Sequence, residues 1–329
     1  METGKLSSAD LKELIIDQIK PVNDDVLIRP GVGEDCSAIA FGDYACVLST
    51  DPITGAASEI GRLAVHINCN DIASSGVKPM ALMLTILVPP ETTQEELNQI
   101  MAQASAEAEK LGIDIIGGHT EITTAVNRPL VSATAIGKQL KDKLVTSSGS
   151  RAGDMLIMTK NVALEGTGIL AFDKESELKS VLTSEELQEA KDMLDEISVI
   201  PEGVIAGELG VTAMHDVTEG GILGAVWEMC EASELGCRIE RTMLPLEDVT
   251  LKICEHFEID PLKLISSGAM LITAPKTQAI LLDQTLRNAG IRSAIIGQMT
   301  TGKEILLCDD SGVEPVDPPT TDELYKVID

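Results

Sequence analysis

Glu59-Ile-Gly-Arg-Leu-Ala-Val-His-Ile-Asn-Cys-Asn-Asp-Ile-Ala-Ser-Ser-Gly76 is the stretch on which the fold turns. Leu63, Ala64, Ile67, Asn70, Asp71 and Ser74 recur at three-and-four spacing, and Val65, Cys69 and Ile72 are apolar on another side. A helix that is apolar most of the way round is a buried helix. This one nevertheless carries Asn68, Asn70 and Asp71 in its middle. A buried carboxylate without a partner costs several kcal/mol or takes up a proton. Asp71 therefore either has a hydrogen-bonded partner in the core or faces a site.

The chain around this helix has 329 residues, enough for two domains, and is 44% hydrophobic but only 2% aromatic, so its core must be aliphatic. The 53 acidic residues outnumber the 25 basic ones, for a net charge of −28. That balance argues against a nucleic-acid surface, which needs clustered Lys and Arg. An anionic ligand would have to be held through metals or backbone amides. The seven cysteines form no C-x-x-C pair, which disfavours a zinc site, and most sit in apolar runs. Their odd number and the missing signal-peptide pattern point to a reducing cytoplasm, and no apolar run approaches the ~18 residues of a membrane span.

In chain order, Ser8 to Ile19 has the pattern of an amphipathic helix with a Ser or Asp cap. Arg29-Pro-Gly-Val-Gly-Glu-Asp-Cys36 is a Gly-rich turn carrying two acids; Gly33 would let the backbone approach a ligand, and an ordinary hairpin loop is the alternative. Tyr44 to Ser49 reads as a strand ending in Thr50-Asp51-Pro52, and Met80 to Val88 as a buried strand closed by two prolines. A helix spans Thr93 to Leu111; a short strand, Ile113 to Ile116, ends in Gly117-Gly-His-Thr-Glu121. The polar run Lys138 to Gly153 divides the chain, giving domains 1–148 and 149–329. Beyond it, strands and helices alternate: Glu175 to Glu196 reads as a solvated helix, Thr212 to Met214 as a strand running into His215-Asp-Val-Thr-Glu-Gly-Gly221, and Ile222 to Ala232 as an apolar helix. The tail from Asp309 reads as loose.

Acids thus recur at element ends: Glu34, Asp35, Asp51, Asp71, Glu121, Asp216 and Glu219. Oxygen ligands suit hard cations, magnesium above all, which often bridges carboxylates to nucleotide phosphates. The pairs Gly117-Gly118 and Gly220-Gly221 allow amides near phosphate, and the second opens a helix. Neither the P-loop nor the dinucleotide fingerprint occurs.

Taken together, Gly31-Val-Gly-Glu-Asp-Cys36, Ser49-Thr-Asp51, Asn70-Asp71, Gly117-Gly-His-Thr120 and His215-Asp-Val-Thr-Glu-Gly-Gly221 resemble the aminoimidazole ribonucleotide synthetase superfamily. The resemblance runs from about Asp25 to about Gly297 and is nearest to the hydrogenase-maturation branch through Gly61-Arg-Leu-Ala-Val65 and Leu164-Glu-Gly-Thr167. It implies a two-domain PurM-like fold, with a mixed-sheet α/β N-terminal domain for ATP binding and dimerisation and an α+β C-terminal domain. It implies an ATP- and magnesium-dependent enzyme of the cytoplasm, a homodimer, activating a small-molecule or protein-borne acceptor. Carried over by motif, Glu34, Asp35, Asp51, Asp71 and Asp216 are the metal ligands, and Gly33, Gly117, Gly118, Thr120, Gly220 and Gly221 approach the nucleotide. Asp71, His119 and Asp216 are the catalytic candidates.

Several departures from the family pattern matter. His119 stands where the kinase and dehydratase members carry Asp; it is a phosphate contact or proton shuttle, or else a loop His bonded to a neighbour such as Glu121. The sequence offers neither the N-terminal Cys and Lys pattern of selenophosphate synthetase nor the terminal Cys of the hydrogenase dehydratase. A thiamine-monophosphate-type kinase and a non-catalytic nucleotide-binding relative are the alternatives. His66 and His256 read as structural, His215 stays open, and Cys36 and Cys69 read as small core residues near the site.

Overall fold

The computed structural model describes residues 5–54 and 59–328. Six strands form the first sheet: β1 (Val26–Ile28), β2 (Ser37–Phe41), β3 (Tyr44–Ile53), β4 (Pro79–Val88), β5 (Asp114–Ile122) and β6 (Leu130–Leu140), in the order β1-β2-β3-β6-β4-β5. All neighbours are antiparallel except β4 and β5, which are parallel and joined through a helix. Helix α1 (Ile60–Ser74) lies across β3 and β6, and α2 (Gln94–Leu111) packs on α1. Thr93 caps α2 in a full capping box with Glu96. Along β4, Leu82, Leu84, Ile86 and Val88 are buried while Met80 and Met83 are exposed, so the helices cover one face of the sheet only.

After the irregular stretch 141–154, β7 (Met155–Thr159) starts the second sheet. Helices α3 (Leu164–Asp173), α4 (Ser184–Asp192) and α5 (Ile200–Leu209) follow, then β8 (Ala213–Asp216), α6 (Gly221–Ser233), β9 (Gly236–Glu240) and α7 (Asp248–His256). The chain continues through β10 (Met270–Ala274), α8 (Lys276–Asn288), β11 (Ser293–Thr300), β12 (Ile305–Asp309) and β13 (Gly312–Pro315). Their order is β13-β12-β9-β11-β7-β10-β8. At β10 this sheet is buried on both faces, and all five residues of that strand, Met-Leu-Ile-Thr-Ala, are buried. Its pleat sends Met270 and Ile272 into one core and Leu271 into another. The first of these cores also holds Val47, Ile72 and Leu82, so residues from both halves of the sequence share it.

Four expectations from the sequence fail. Ser8 to Ile19 is not one regular helix: it runs through an α turn (Ser8–Asp10), a π turn (Leu11–Ile15) and a 3₁₀ turn (Ile16–Gln18), none with a buried residue. Without a partner surface its apolar side chains cannot stabilise a regular helix. Glu175 to Glu196 is broken into Glu175–Leu178, α4 and Met193–Glu196, and buries Leu178, Leu187, Ala190 and Met193 instead of being solvated. The tail beyond Asp309 is ordered: β13 pairs with β12, and a 3₁₀ turn at Glu323–Lys326 buries Leu324. Gly117 to Glu121 is not a turn but the body of β5, paired with Met83 to Leu87 of β4. Main-chain pairing carries the strand through glycines that propensity alone would end.

Candidate functional site

A cleft of about 600 Å³ opens between the β1–β2 loop, β3, α1 and the end of β8, with the N-terminal segment along one side. Gly33 gives the loop its entry. It adopts φ +77, and a Cβ there would lie 2.9 Å from the carbonyl oxygen of Glu228. The backbone there packs against α6, Gly33 itself lines the cleft, and the tight turn sets Glu34 and Asp35 beside it.

Asp71 lines the cleft from the buried face of α1. Ser49 Oγ donates to its Oδ2 (2.5 Å), and Cys36 Sγ donates to its carbonyl oxygen (3.0 Å). Asp51 reaches the same cleft from within β3, which continues to Ile53 rather than ending before it. Its backbone is held to α1 by Asn68: the Asp51 N–H donates to Asn68 Oδ1 (2.7 Å), and Asn68 Nδ2 donates to Asp51 O (3.3 Å). Asp216 sits at the end of β8 and accepts from Ser74 Oγ (3.2 Å), tying β8 to the last turn of α1. Burial first, then the charges of Asp216, Asp51 and Asp35, push the Asp71 carboxyl well above the usual carboxylate range. Burial and Asp35 push Asp216 up to about 7, against the pull of His215 and Ser74. Glu34, at the rim, is raised by burial against hydrogen bonds from Ser148 and Ser147.

His215 is the counter-charge. Its Nδ1 lies 2.7 Å from Asp35 Oδ1 and its Nε2 lies 3.0 Å from Glu228 Oε2. Burial opposes its charge, but Asp35 and Glu228 together hold it protonated. Burial would likewise raise Glu228, but His215 and Lys5 hold it down at about 2. Lys5 Nζ donates to Glu228 Oε1 (3.1 Å), so cation and anion alternate from Lys5 through Glu228 and His215 to Asp35.

The donor chemistry suits a hard divalent ion. Asp35 Oδ2 and Asp216 Oδ2 are buried without a hydrogen-bond partner, and such oxygens are costly unless a cation or proton meets them. Ligand atoms of Asp35, His215 and Asp216 lie within 4.8 Å of one another. A protonated imidazole has no lone pair to offer, so the metal-binding part of this group is the two carboxylates. Cys36 lines the cleft, but burial, then Asp71, push its thiol well above its usual range, which makes it a poor nucleophile.

Other sequence candidates lie elsewhere. Gly117, Gly118, His119 and Thr120 are in β5 and do not line this cleft. His119 is exposed and its Nε2 lies 3.4 Å from Glu121 Oε2. Gly220 and Gly221 do open α6, but the Gly220 N–H donates to Asp322 Oδ2 (2.7 Å) of the C-terminal segment. The anion at this helix start is the chain's own carboxylate. His66 bonds Glu107 (3.0 Å), and His256 stacks edge-on against Phe257, both away from the cleft. Sequence reasoning missed Glu228, Ser49, Ser74 and Lys5. Glu228 carried a signal, an acid amid the apolar run Ile222 to Cys230; Lys5 carried none.

Comparison with known proteins agrees with this architecture. The N-terminal domain model of AIR synthase related proteins matches residues 33–139, and the C-terminal domain model matches residues 151–308. The chain belongs to the AIR synthase related family. Within it, the chain is 28% identical to a Methanocaldococcus jannaschii protein named for hydrogenase expression and formation, covering 98% of this chain and 97% of that one. It is 26% identical to carbamoyl dehydratase HypE of Rhodobacter capsulatus, over 83% and 78% of the two chains. Among solved structures, a HypE–HypF complex matches with TM-score 0.79 at 22% identity, over 94% of this chain and 100% of that one. HypE in complex with ATP matches with TM-score 0.70 at 18% identity, over 98% and 97%. This family member has the two-domain PurM-like fold, with mixed α/β layers around two sheets. Among its described residues no helix is long and apolar enough to cross a membrane.

Proposed function

We propose that this protein is an ATP-using enzyme that, with magnesium, activates or phosphorylates a small acceptor or a group borne by a partner protein. The observation that carries the reading is the convergence of Asp35, Asp51, Asp71 and Asp216, from a loop, a strand, a helix and a strand end, on one cleft. Two of them present orphaned buried oxygens. Carboxylates are rarely gathered against their own repulsion for stability alone. The kinship with carbamoyl dehydratases and the shared fold of an ATP-bound HypE support ATP as the nucleotide.

Asp35, Asp51, Asp71 and Asp216 are the residues that would hold the ion, with Glu34 at the rim. Bound there, magnesium would neutralise phosphate charge, the chief requirement of phosphoryl chemistry. The remaining work is positioning. Ser49 and Asn68 fix Asp71 and the Asp51 backbone, and His215 holds Asp35 with a charge that does not leave at neutral pH. The exposed edge strand β5 and the bare face with Met80, Met83 and Ile116 suit pairing with a second copy, as in a homodimer.

Calorimetric titration with ATP, with and without magnesium, tests the reading on wild type and Asp71→Asn. Magnesium-dependent binding in the wild type that weakens at least about tenfold in the variant supports it. Wild-type protein that binds no nucleotide with magnesium present would overturn it.

A further inference from the structure

The segment Lys5 to Gln18 crosses one side of the cleft, and Leu6, Leu11, Ile15 and Ile16 line it. The segment nevertheless buries none of its own residues and changes helical register twice. Among the described residues, the hydrogen bond that ties residues 5–22 to the body of the molecule is Lys5 Nζ to Glu228 Oε1. The Lys5 side chain is half-exposed and that of Glu228 buried. A segment with little buried surface and one such tie opens at small cost. Its attachment point is not incidental, because Glu228 also bonds His215, which meets Asp35.

We propose that residues 5–18 are a strap that opens to admit the ligand and is latched shut by Lys5 on Glu228. Lys5 is then a positioning residue: through Glu228 and His215 it acts on Asp35, and it makes its contact beside the acid cluster rather than within it. Closure supplies one wall of the cleft and slows ligand escape, while entry remains limited by strap opening. The charge of Lys5 is also felt at Asp35, Asp51 and Glu219, so the closed strap brings a positive charge to the acidic cleft. The ligand side of this proposal rests on the reading of the cleft as a magnesium–ATP site; the strap itself does not.

The full-length protein carrying Lys5→Gln or Lys5→Arg tests it by two readouts. Lys12 is exposed within the segment, so trypsin cleavage after it reports opening without any ligand. Lys5→Gln is expected to be cut roughly fivefold faster than wild type, the shift that an ion pair of this exposure supports, and Lys5→Arg at the wild-type rate. Magnesium–ATP should leave Lys5→Gln faster by a similar factor, with Lys5→Arg again restored. Equal cleavage of wild type and Lys5→Gln would overturn the strap. Faster cleavage with unchanged ATP release would overturn the positioning role. If the wild type binds no magnesium–ATP, the functional reading falls, and the cleavage rates still decide the strap.

Discussion

Asp71 and Glu228 face the same cleft yet should respond in opposite ways to removal of their charge. Asp71 is buried against three other carboxylates, and it accepts a hydrogen bond from the Ser49 hydroxyl. Asp71→Asn keeps the shape and removes the repulsion, so without ligand it should raise stability by about 1 kcal/mol or more, the worth of a pKa unit. Glu228 is held between two cations, and Glu228→Ala leaves His215 with one partner instead of two. Breaking a buried pair from one side costs about 3 kcal/mol. Thermal unfolding of both variants at pH 7, without nucleotide or metal, checks the two signs. A fall for Asp71→Asn would mean that its carboxylate is compensated in the core and is not a residue kept for binding. The helix pattern around Asp71 exposed this conflict in the sequence. His215 stayed open there because Asp35, its first partner, is 180 residues away in the chain, and no local pattern records such a pair.

At the level of elements, the position of α1 controls the site. Gly61 lies at its crossing with α2, where a Cβ would come within 2.2 Å of the Ile100 carbonyl oxygen. Gly61→Ala should therefore push the helices apart and cost on the order of 2 kcal/mol in urea-unfolding stability, although alanine is the better helix former. The C-terminal segment offers a second test. Asp322 accepts from the N–H groups of Gly220, Ile265 and Leu324, so it caps α6 and fastens its own turn at once. Asp322→Ala should lose about 1–2 kcal/mol and free the tail to proteolysis, whereas Asp322→Asn should retain most of the capping. Sequence pattern located α1, α2 and α6 well because each has an apolar face that repeats. It ended β5 too early, at Gly117, and took the tail for a loose end, because glycines, prolines and acids there are held by partners distant in the chain.

Across the whole molecule, buried acids make stability depend on pH in an unusual direction. Burial pushes Glu165 up to about 7 against hydrogen bonds from Ser267, and its Oε2 has no partner. Burial likewise pushes Asp322 up to about 6, against the N–H groups that it caps. The charge of Asp322 adds to the rise of Glu165, at the seam between the tail and the start of α3. For an acid raised on folding, the native state binds more protons than the unfolded state between the two pKa values. Stability contributed by Glu165 is thus full below its ordinary value near 4.5 and falls as pH rises towards about 7. The loss is on the order of 3 kcal/mol at most. Urea midpoints at pH 5 and pH 8 should differ less in Glu165→Gln than in wild type; an unchanged difference would place the pH dependence elsewhere.

The sequence by itself determined the buried central helix, the aliphatic cores, the alternation of strands and helices, and the family, because those follow from residue periodicity and from short motifs in fixed order. It also placed acids where Asp35, Asp51, Asp71 and Asp216 are found. Only the tertiary structure decided which of the candidates meet. It set His215 and Glu228 among them as counter-charges, left Gly117 to Thr120 in an exposed strand, and filled the start of α6 with Asp322. Local pattern is carried by hydrophobic spacing along the chain, whereas a site is carried by charge balance between segments far apart in it, and that balance exists only once they are packed together.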